Sequence, residues 1–250
     1  MSSLPPIYYH ILKRPVSYAR GLALQEAVHS FQLAHRDTAA FRDVMLLLEH
    51  RPVYTAGRRQ TEESIRDDKE RVTKLGADFV HTLRGGELTF HGPGQIVGYP
   101  LVDLDRWSPV MRTRDFVCRT EKGLKKYFSE EHGVQCVESE HTGLFTSPAA
   151  KIGSIGMQVR HRLTSHGFAL NVTNEPLAWF NHVIACGLPD VNATSIEEAV
   201  PSKKFVLHQE MGVIAQFLGR QFERDIAPLS QSDGELKSII EQVDELETSN

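Results

Sequence analysis

The chemistry open to this 250-residue chain rests on three cysteines, one lysine and a glycine-rich run. Cys186 stands before Gly187-Leu188-Pro189, a turn signal, where a thiol can be presented to a substrate. Cys118 falls on a helical segment, Thr113–Glu130, and Cys136 in a short strand-like run. Cysteines in such places act as small buried hydrophobes, and for Cys186 that role stays open beside the nucleophilic one. Lys151 opens an apolar strand, so its stem can be buried with its amine at a site, or it is an ordinary solvated lysine.

The run "RGGELTFHGPGQ", Arg84–Gln95, is too glycine-rich for an ordinary strand. A phosphate loop needs a Lys-Ser or Lys-Thr after the glycines, and none follows. A dinucleotide-binding turn would open a helix, whereas Leu88-Thr89-Phe90-His91 favours a strand. Two readings remain. One is a plain glycine hairpin. The other is a backbone that a ligand approaches closely at Gly85 and Gly86, with Glu87, Thr89 and His91 sharing one strand face. Gly92-Pro93-Gly94 is a turn. His91 has no second histidine at helical spacing and no acidic neighbours at ligand spacing, which suits a hydrogen-bonding role and no metal. His166, ahead of Gly167, likewise reads as structural or as an orderer of a site.

The elements that must position these residues follow from periodicity. Ser17–His35 carries Leu24, Ala27, Val28 and Phe31 at helical spacing. Thr113–Glu130, Phe205–Phe222 and Glu235–Leu246 repeat the pattern. Ile7–Leu12, Asp43–Glu49, Asp78–Leu83, Gln95–Leu104, Val134–Val137, Gly143–Thr146, Ile152–Arg160 and Leu163–Val172 read as strands. Arg58–Gly76 is polar with few apolar anchors and reads as a surface loop with one helical turn. Thr194 and Ser195 can cap a helix at "SIEEAV". Strands crowd the middle and long helices the ends, which predicts an α+β fold with a mixed, mostly antiparallel sheet packed with helices. We expect one domain over 1–250, frayed at residues 1–6 and 247–250.

The formal net charge of -4 gives no case for nucleic acid. No apolar run reaches the ~18–20 residues of a membrane helix. An odd number of widely spaced cysteines suits reduced thiols. Lys13, Arg14 and Arg20 precede the first acid, Glu26, a composition similar to a transit peptide, although the same residues read as a strand and a helix. The basic stretches Arg160-His161-Arg162 and Lys203-Lys204 read as ordinary solvated charge or as local surfaces for an acidic partner.

Three segments carry a family resemblance: "RGGELTFHGPGQIVGYPLVDL", "KIGSIGMQVRHRLTSHGFALNV" from Lys151, and "HVIACGLPDVNATSI" from His182. In this order they resemble the lipoyl(octanoyl) transferases, from about Ile7 to Phe222. The resemblance implies a fold akin to biotin and lipoate protein ligase catalytic domains. It implies transfer of an octanoyl group from octanoyl-acyl carrier protein to a lysine of the lipoyl domains of 2-oxoacid dehydrogenases and the glycine cleavage H protein. It assigns Cys186 as acyl-thioester nucleophile and Lys151 as the lysine that tunes it. Arg84, Gly85, Gly86, Glu87, Leu88, Thr89, Phe90, His91, Ser154, Ile155, Gly156, Gly167, Phe168 and Ala169 fall on segments lining the acyl site. Oxyanion donors are expected near Gly187 or at a Ser154–Gly156 turn. No cofactor or metal is implied, and a monomer is expected. Ala185 departs from the proline common before the cysteine, and "FTSPAA" before Lys151 suggests a loop of different shape. "WFNHVIACGL" resembles mitochondrial members, with the cytoplasm expected for a bacterial source. The competing readings are an ATP-dependent lipoate or biotin ligase and a non-catalytic binder of lipoyl domains.

Overall fold

The computed structural model describes residues 4–183, 188, 190–230 and 233–245. Strand β1 (Ile7–Ile11) and helix α1 (Tyr18–His35) come first, followed by β2 (Asp43–Leu48) and β3 (Val53–Ala56). Helix α2 (Glu62–Lys74), β4 (Asp78–His81), β5 (Thr89–His91) and β6 (Gln95–Leu101) lead to α3 (Thr113–His132). Then come β7 (Leu144–Ser147), β8 (Ala150–Arg160), β9 (Leu163–Asn171), α4 (Glu175–Phe180), β10 (Asn192–Ala193) and α5 (Ile196–Ala199). The chain finishes with α6 (Leu207–Phe222), β11 (Ile226–Pro228) and α7 (Gly234–Glu245).

The main sheet runs β10-β8-β9-β6-β2-β1-β11, with β7 also on β8. Its central ladders, β2–β6, β6–β9 and β8–β9, are antiparallel, while β1–β2, β1–β11 and β8–β10 are parallel. Strand β2 shows why it lies in the middle. Its side chains alternate between two cores, Met45 and Leu47 on one face and Val44, Leu46 and Leu48 on the other. Helices α3 and α6 cover the first face through Phe116, Leu124, Phe128, Met211, Ile214 and Leu218. Helices α1 and α7 cover the second through Leu24, Val28, Leu236 and Ile240. A buried ion pair pins the edge: Arg224 Nη2 lies 2.9 Å from Asp43 Oδ2, with both side chains shielded from solvent.

A second sheet, β4-β3-β5, has its own core of Tyr54, Leu88 and Phe90 beneath Ile65 and Val72. Those last two belong to α2, a full helix where a loop is expected. Its apolar anchors number only two because it rests on a three-stranded sheet. Its ends are specified locally by a Thr61–Ser64 capping box, Glu62 and Glu63 in the first turn, and Arg71 and Lys74 in the last.

Other boundaries also move. Strand β6 stops at Leu101, and Leu104–Arg106 is a 3-10 turn. Val134–Val137 is no strand: Val134 N donates to Phe128 O to close α3, and only Val137 bridges Phe145. The stretch with transit-peptide composition is built into the fold, as β1 between β2 and β11 and as α1 capped by Ser17. No helix among the described residues is long and apolar enough to cross a membrane.

Candidate active site

The glycine run is organised by β5, which pairs antiparallel with β3. Alternation turns Thr89 and His91 toward a cavity and Phe90 away from it. Phe90 stacks on Trp179 with ring centroids 5.2 Å apart, and Leu88 is buried in the same cluster. Leu88 and Phe90 therefore hold the small sheet to α4, and the lining role expected of them is corrected on that ground.

The loop ahead of β5 is held from within. Gly86 has φ +90, and a Cβ on Gly57 would lie 2.0 Å from Gly86 O, so the two backbones cross at contact distance. Arg84, 6% exposed, spends its donors on the loop: Nη1 on Gly85 O at 3.0 Å, Nη2 on Glu87 O at 2.7 Å and Thr55 Oγ1 at 2.8 Å. Gly85 N donates to Met157 O at 3.1 Å, which ties the loop to β8. After β5, Gln95 N donates to Gly92 O at 3.1 Å across Pro93 and Gly94, whose φ of +83 makes this a type II turn.

The cavity so walled has a volume of about 350 Å³, at the small end of ligand pockets, which run ~300–1,000 Å³. Arg84–Glu87 form one side, and Lys151 with Ser154–Met157 of β8 form another. Gly167–Ala169 of β9 and Val97 and Tyr99 of β6 complete the base, while Thr113 and Val117 of α3, Arg59, His141 and Leu188 stand around it. Of the expected site residues that are described, all but Leu88 and Phe90 lie in this lining. Cys186 and Gly187 lie outside the described residues. Ser154 and Gly156 are mid-strand, paired with Ala169 and Gly167, and so are no turn.

Its floor is a cluster of histidines and tyrosines. His50 Nδ1 is 3.0 Å from Val16 O, which can only accept, so Nδ1 carries the proton. Nε2 is then left to accept from the Tyr99 hydroxyl at 2.6 Å. Tyr18 OH meets His166 Nδ1 at 3.4 Å. Burial, reinforced by Arg84, pushes His166 down to about 4, and burial with His50 and Arg84 holds His91 well below the histidine range. Burial lifts Tyr18 to about 12 and Tyr99 well above the phenol range. At neutral pH His91, His166, Tyr18 and Tyr99 are thus uncharged, and histidines so depressed are weak bases. They order the site by hydrogen bonds. Thr89 Oγ1 and His91 Nδ1 are buried with no partner among the described residues and face this space.

Lys151 is 9% exposed. Its Nζ lies 5.4 Å from the Phe145 ring centroid, and a Cβ on Gly143 would be 2.7 Å from its Cε. The stem thus runs in a slot between β7 and the Gly143 backbone. Register shifts between β7 and β8 at Leu144/Phe145 and Phe145/Ser147 shape that slot. Pairing of Ala193 with Lys151, and Thr194 N on Lys151 O at 2.9 Å, fix the strand's other edge. Ser195 caps α5 through Glu198 N at 2.9 Å, as its type suggested.

Cys136 packs against the core with its thiol pushed up to about 11 by burial, as a small hydrophobe should be. Cys118 is exposed, contrary to expectation, because two residues on from the buried Phe116 is the far side of α3. Tyr18, Tyr99, Met157 and Thr113 in the lining escaped sequence reasoning. The signal for Tyr18 was polar residues among α1's apolar positions: Gln25 is buried there too, and its Oε1 accepts from His166 N at 2.6 Å.

The family model described as lipoyl protein ligase A/B catalytic domain matches residues 17–219. An octanoyltransferase of Caldicellulosiruptor saccharolyticus is 35% identical over 227 residues, 90% of this chain and 92% of its own length. A mitochondrial octanoyltransferase of Arabidopsis thaliana is 34% identical over 202 residues, 78% and 82% of the two chains. Among solved structures, lipoate-protein ligase A bound with ATP superposes with a TM-score of 0.62 at 12% identity, covering 98% of this chain and 94% of its own. A bi-partite lipoate protein ligase of Thermoplasma acidophilum gives 0.64 at 13% identity, covering 96% and 92%. At such identities these two similarities are of fold alone. On the model match and the octanoyltransferase relatives together, the chain belongs to the lipoyl protein ligase A/B catalytic domain family.

Proposed function

We propose that this chain is an acyltransferase that moves an octanoyl group from the thioester of an acyl carrier protein to a lysine of a lipoyl domain, the first step in making protein-bound lipoate. The acceptors are the lipoyl domains of 2-oxoacid dehydrogenases and the glycine cleavage H protein, and the catalytic unit is the single domain over 1–250, acting as a monomer. Relatives named octanoyltransferases match most of the chain at about 35% identity. The observation that carries the reading is the buried Lys151 lining the cavity walled by the glycine run. Leu188, two residues after Cys186 in the sequence, lines that cavity as well.

The chemistry needs no external energy source. The Cys186 thiolate attacks the donor carbonyl, the carrier thiol leaves with a proton, and the octanoyl group rests on Cys186 as a thioester of similar energy. The acceptor lysine amine then attacks that thioester, loses a proton and becomes a stable amide, and Cys186 is released. An ordinary thiol is only a few per cent ionised at neutral pH, and lowering its pKa by about two raises the thiolate roughly twentyfold. Lys151 stabilises the thiolate when protonated and takes the amine's proton when neutral.

Intact-mass measurement with octanoyl-carrier protein tests this. One octanoyl adduct on the wild type, lost in Cys186→Ser, supports the mechanism, and no adduct during turnover refutes it. An ATP-dependent ligase shares this fold, so the fold alone does not separate that reading from the transferase. Strict dependence of octanoyl transfer on ATP would establish that reading instead. The mitochondrial relative supports residence in mitochondria, and a tagged chain found only in the cytosol of its source cells would overturn it.

A further inference from the structure

Helix α3 lines the cavity mouth with Thr113 and Val117. One position further round the helix, Arg114, Cys118, Lys122 and Lys126 are exposed at every fourth residue. From 114 to 126 this stripe climbs about 18 Å along α3 away from the mouth and winds about 120° around it. Other basic residues at or on α3 are spoken for: Arg112 pairs with Asp115, Arg119 with Glu223, and Lys125 with Glu121 and Glu138; the acid Glu131 is exposed beyond Lys126 with no ion-pair partner among the described residues. Arg114, Lys122 and Lys126 have no ion-pair partner among the described residues. Across the cavity, Arg58 and Arg59 are exposed, and Arg59 lines the mouth. The basic pairs that sequence alone singled out are mostly committed elsewhere, Arg160 to Glu26, Arg162 to Asp105, and Lys203 near Glu210.

We infer that the Arg114–Lys122–Lys126 stripe is the docking surface for the acidic carrier domain that delivers the acyl thioester. This rests on the function proposed above and assigns that donor a place. A chain of net charge -4 repels an acidic protein at long range. A local cationic row leading into the reaction cavity is what draws and orients such a partner. It lets a negatively charged helix lie along α3 while a flexible thioester arm enters past Thr113. The acyl group itself needs nothing from the stripe.

The test is the variant R114Q/K122Q/K126Q, with initial rates measured for octanoyl-carrier protein, for octanoyl-pantetheine and for the lipoyl-domain acceptor. All three side chains are exposed, and a thermal melt checks the fold. We expect KM for the carrier-bound donor to rise on the order of tenfold at low salt, and the gap to close at high salt as screening replaces the lost attraction. Octanoyl-pantetheine kinetics and the acceptor KM should stay within about twofold. A carrier KM that does not move overturns the inference, as does an equal rise for the acceptor. Direct titration of wild type and variant with carrier protein separates the two proposals. Binding lost in the variant without transfer by the wild type would sustain the docking surface and refute the function.

Discussion

His166 gives the fold an acid limit that can be measured. It is 4% exposed, its backbone N bonds Gln25 Oε1, and burial aided by Arg84 holds its folded pKa near 4. In the unfolded chain the same ring titrates near 6.5. A histidine depressed by folding contributes stability that is fully present above the unfolded value and lost as pH falls toward the folded one. Between these two values the unfolded state binds the proton that the native state refuses. The loss is roughly 2 kcal/mol between pH 7 and pH 5 and about 3 kcal/mol by pH 4. The perturbation is His166→Asn. Its φ of 56 lies in the left-handed region, which asparagine tolerates better than other side chains. Urea unfolding of both proteins at pH 7 and pH 5 is the assay. Whatever the substitution costs at pH 7, the variant should lose about 2 kcal/mol less than wild type on acidification. His91, depressed in the same direction, remains in both proteins, and His166 is the smallest of the causes of its shift. Equal pH dependence in the two proteins would refute the assignment of this acid sensitivity to His166.

Three further perturbations address the core, the loop and the chemistry. Arg224→Met strands the buried Asp43 carboxylate and should cost about 3–5 kcal/mol in urea unfolding. Adding Asp43→Leu should restore most of that, and no recovery would contradict the pairing argument. Gly57→Ala pushes a Cβ to 2.0 Å from Gly86 O. It should lower stability by about 1–3 kcal/mol and reduce kcat/KM for the octanoyl donor, since the loop walling the cavity must shift. A variant as stable and active as wild type would show that the crossing is not tight. Lys151→Ala should slow both acylation of Cys186 and transfer to the acceptor, with the melting transition still cooperative. Unchanged single-turnover rates would remove Lys151 from the mechanism.

Local patterning was enough for elements whose burial is written in period. The run Asp43–Glu49 reads as a doubly buried strand, and β2 is that strand, alternating between two cores. The helical faces of α3 and α6 were equally visible, because each packs an apolar stripe against one large sheet; the face of α1 is blurred, because it also buries Arg20, Gln25, His29 and Gln32. Helix α2 was not, since it covers a small sheet and shows only Ile65 and Val72 to it. Its caps were the better signal. The motif segments from Arg84, Lys151 and His182 were enough to indicate a family, because each is long and their order is specific.

The sequence by itself therefore determined the fold class, the identity of the glycine run as something other than a phosphate cradle, and the residue types available for acyl transfer. Only the tertiary structure decided which of them share a space. It set Thr89 and His91 into the cavity and turned Leu88 and Phe90 to Trp179, because one strand has two faces. It made Arg84 a brace for its own loop, spent Arg160 and Arg162 on Glu26 and Asp105, and left Arg114, Lys122 and Lys126 exposed on α3. It silenced His91 and His166 by burying them beside a guanidinium. Burial and ion pairing depend on what lies across a fold, over distances in sequence that no local pattern spans.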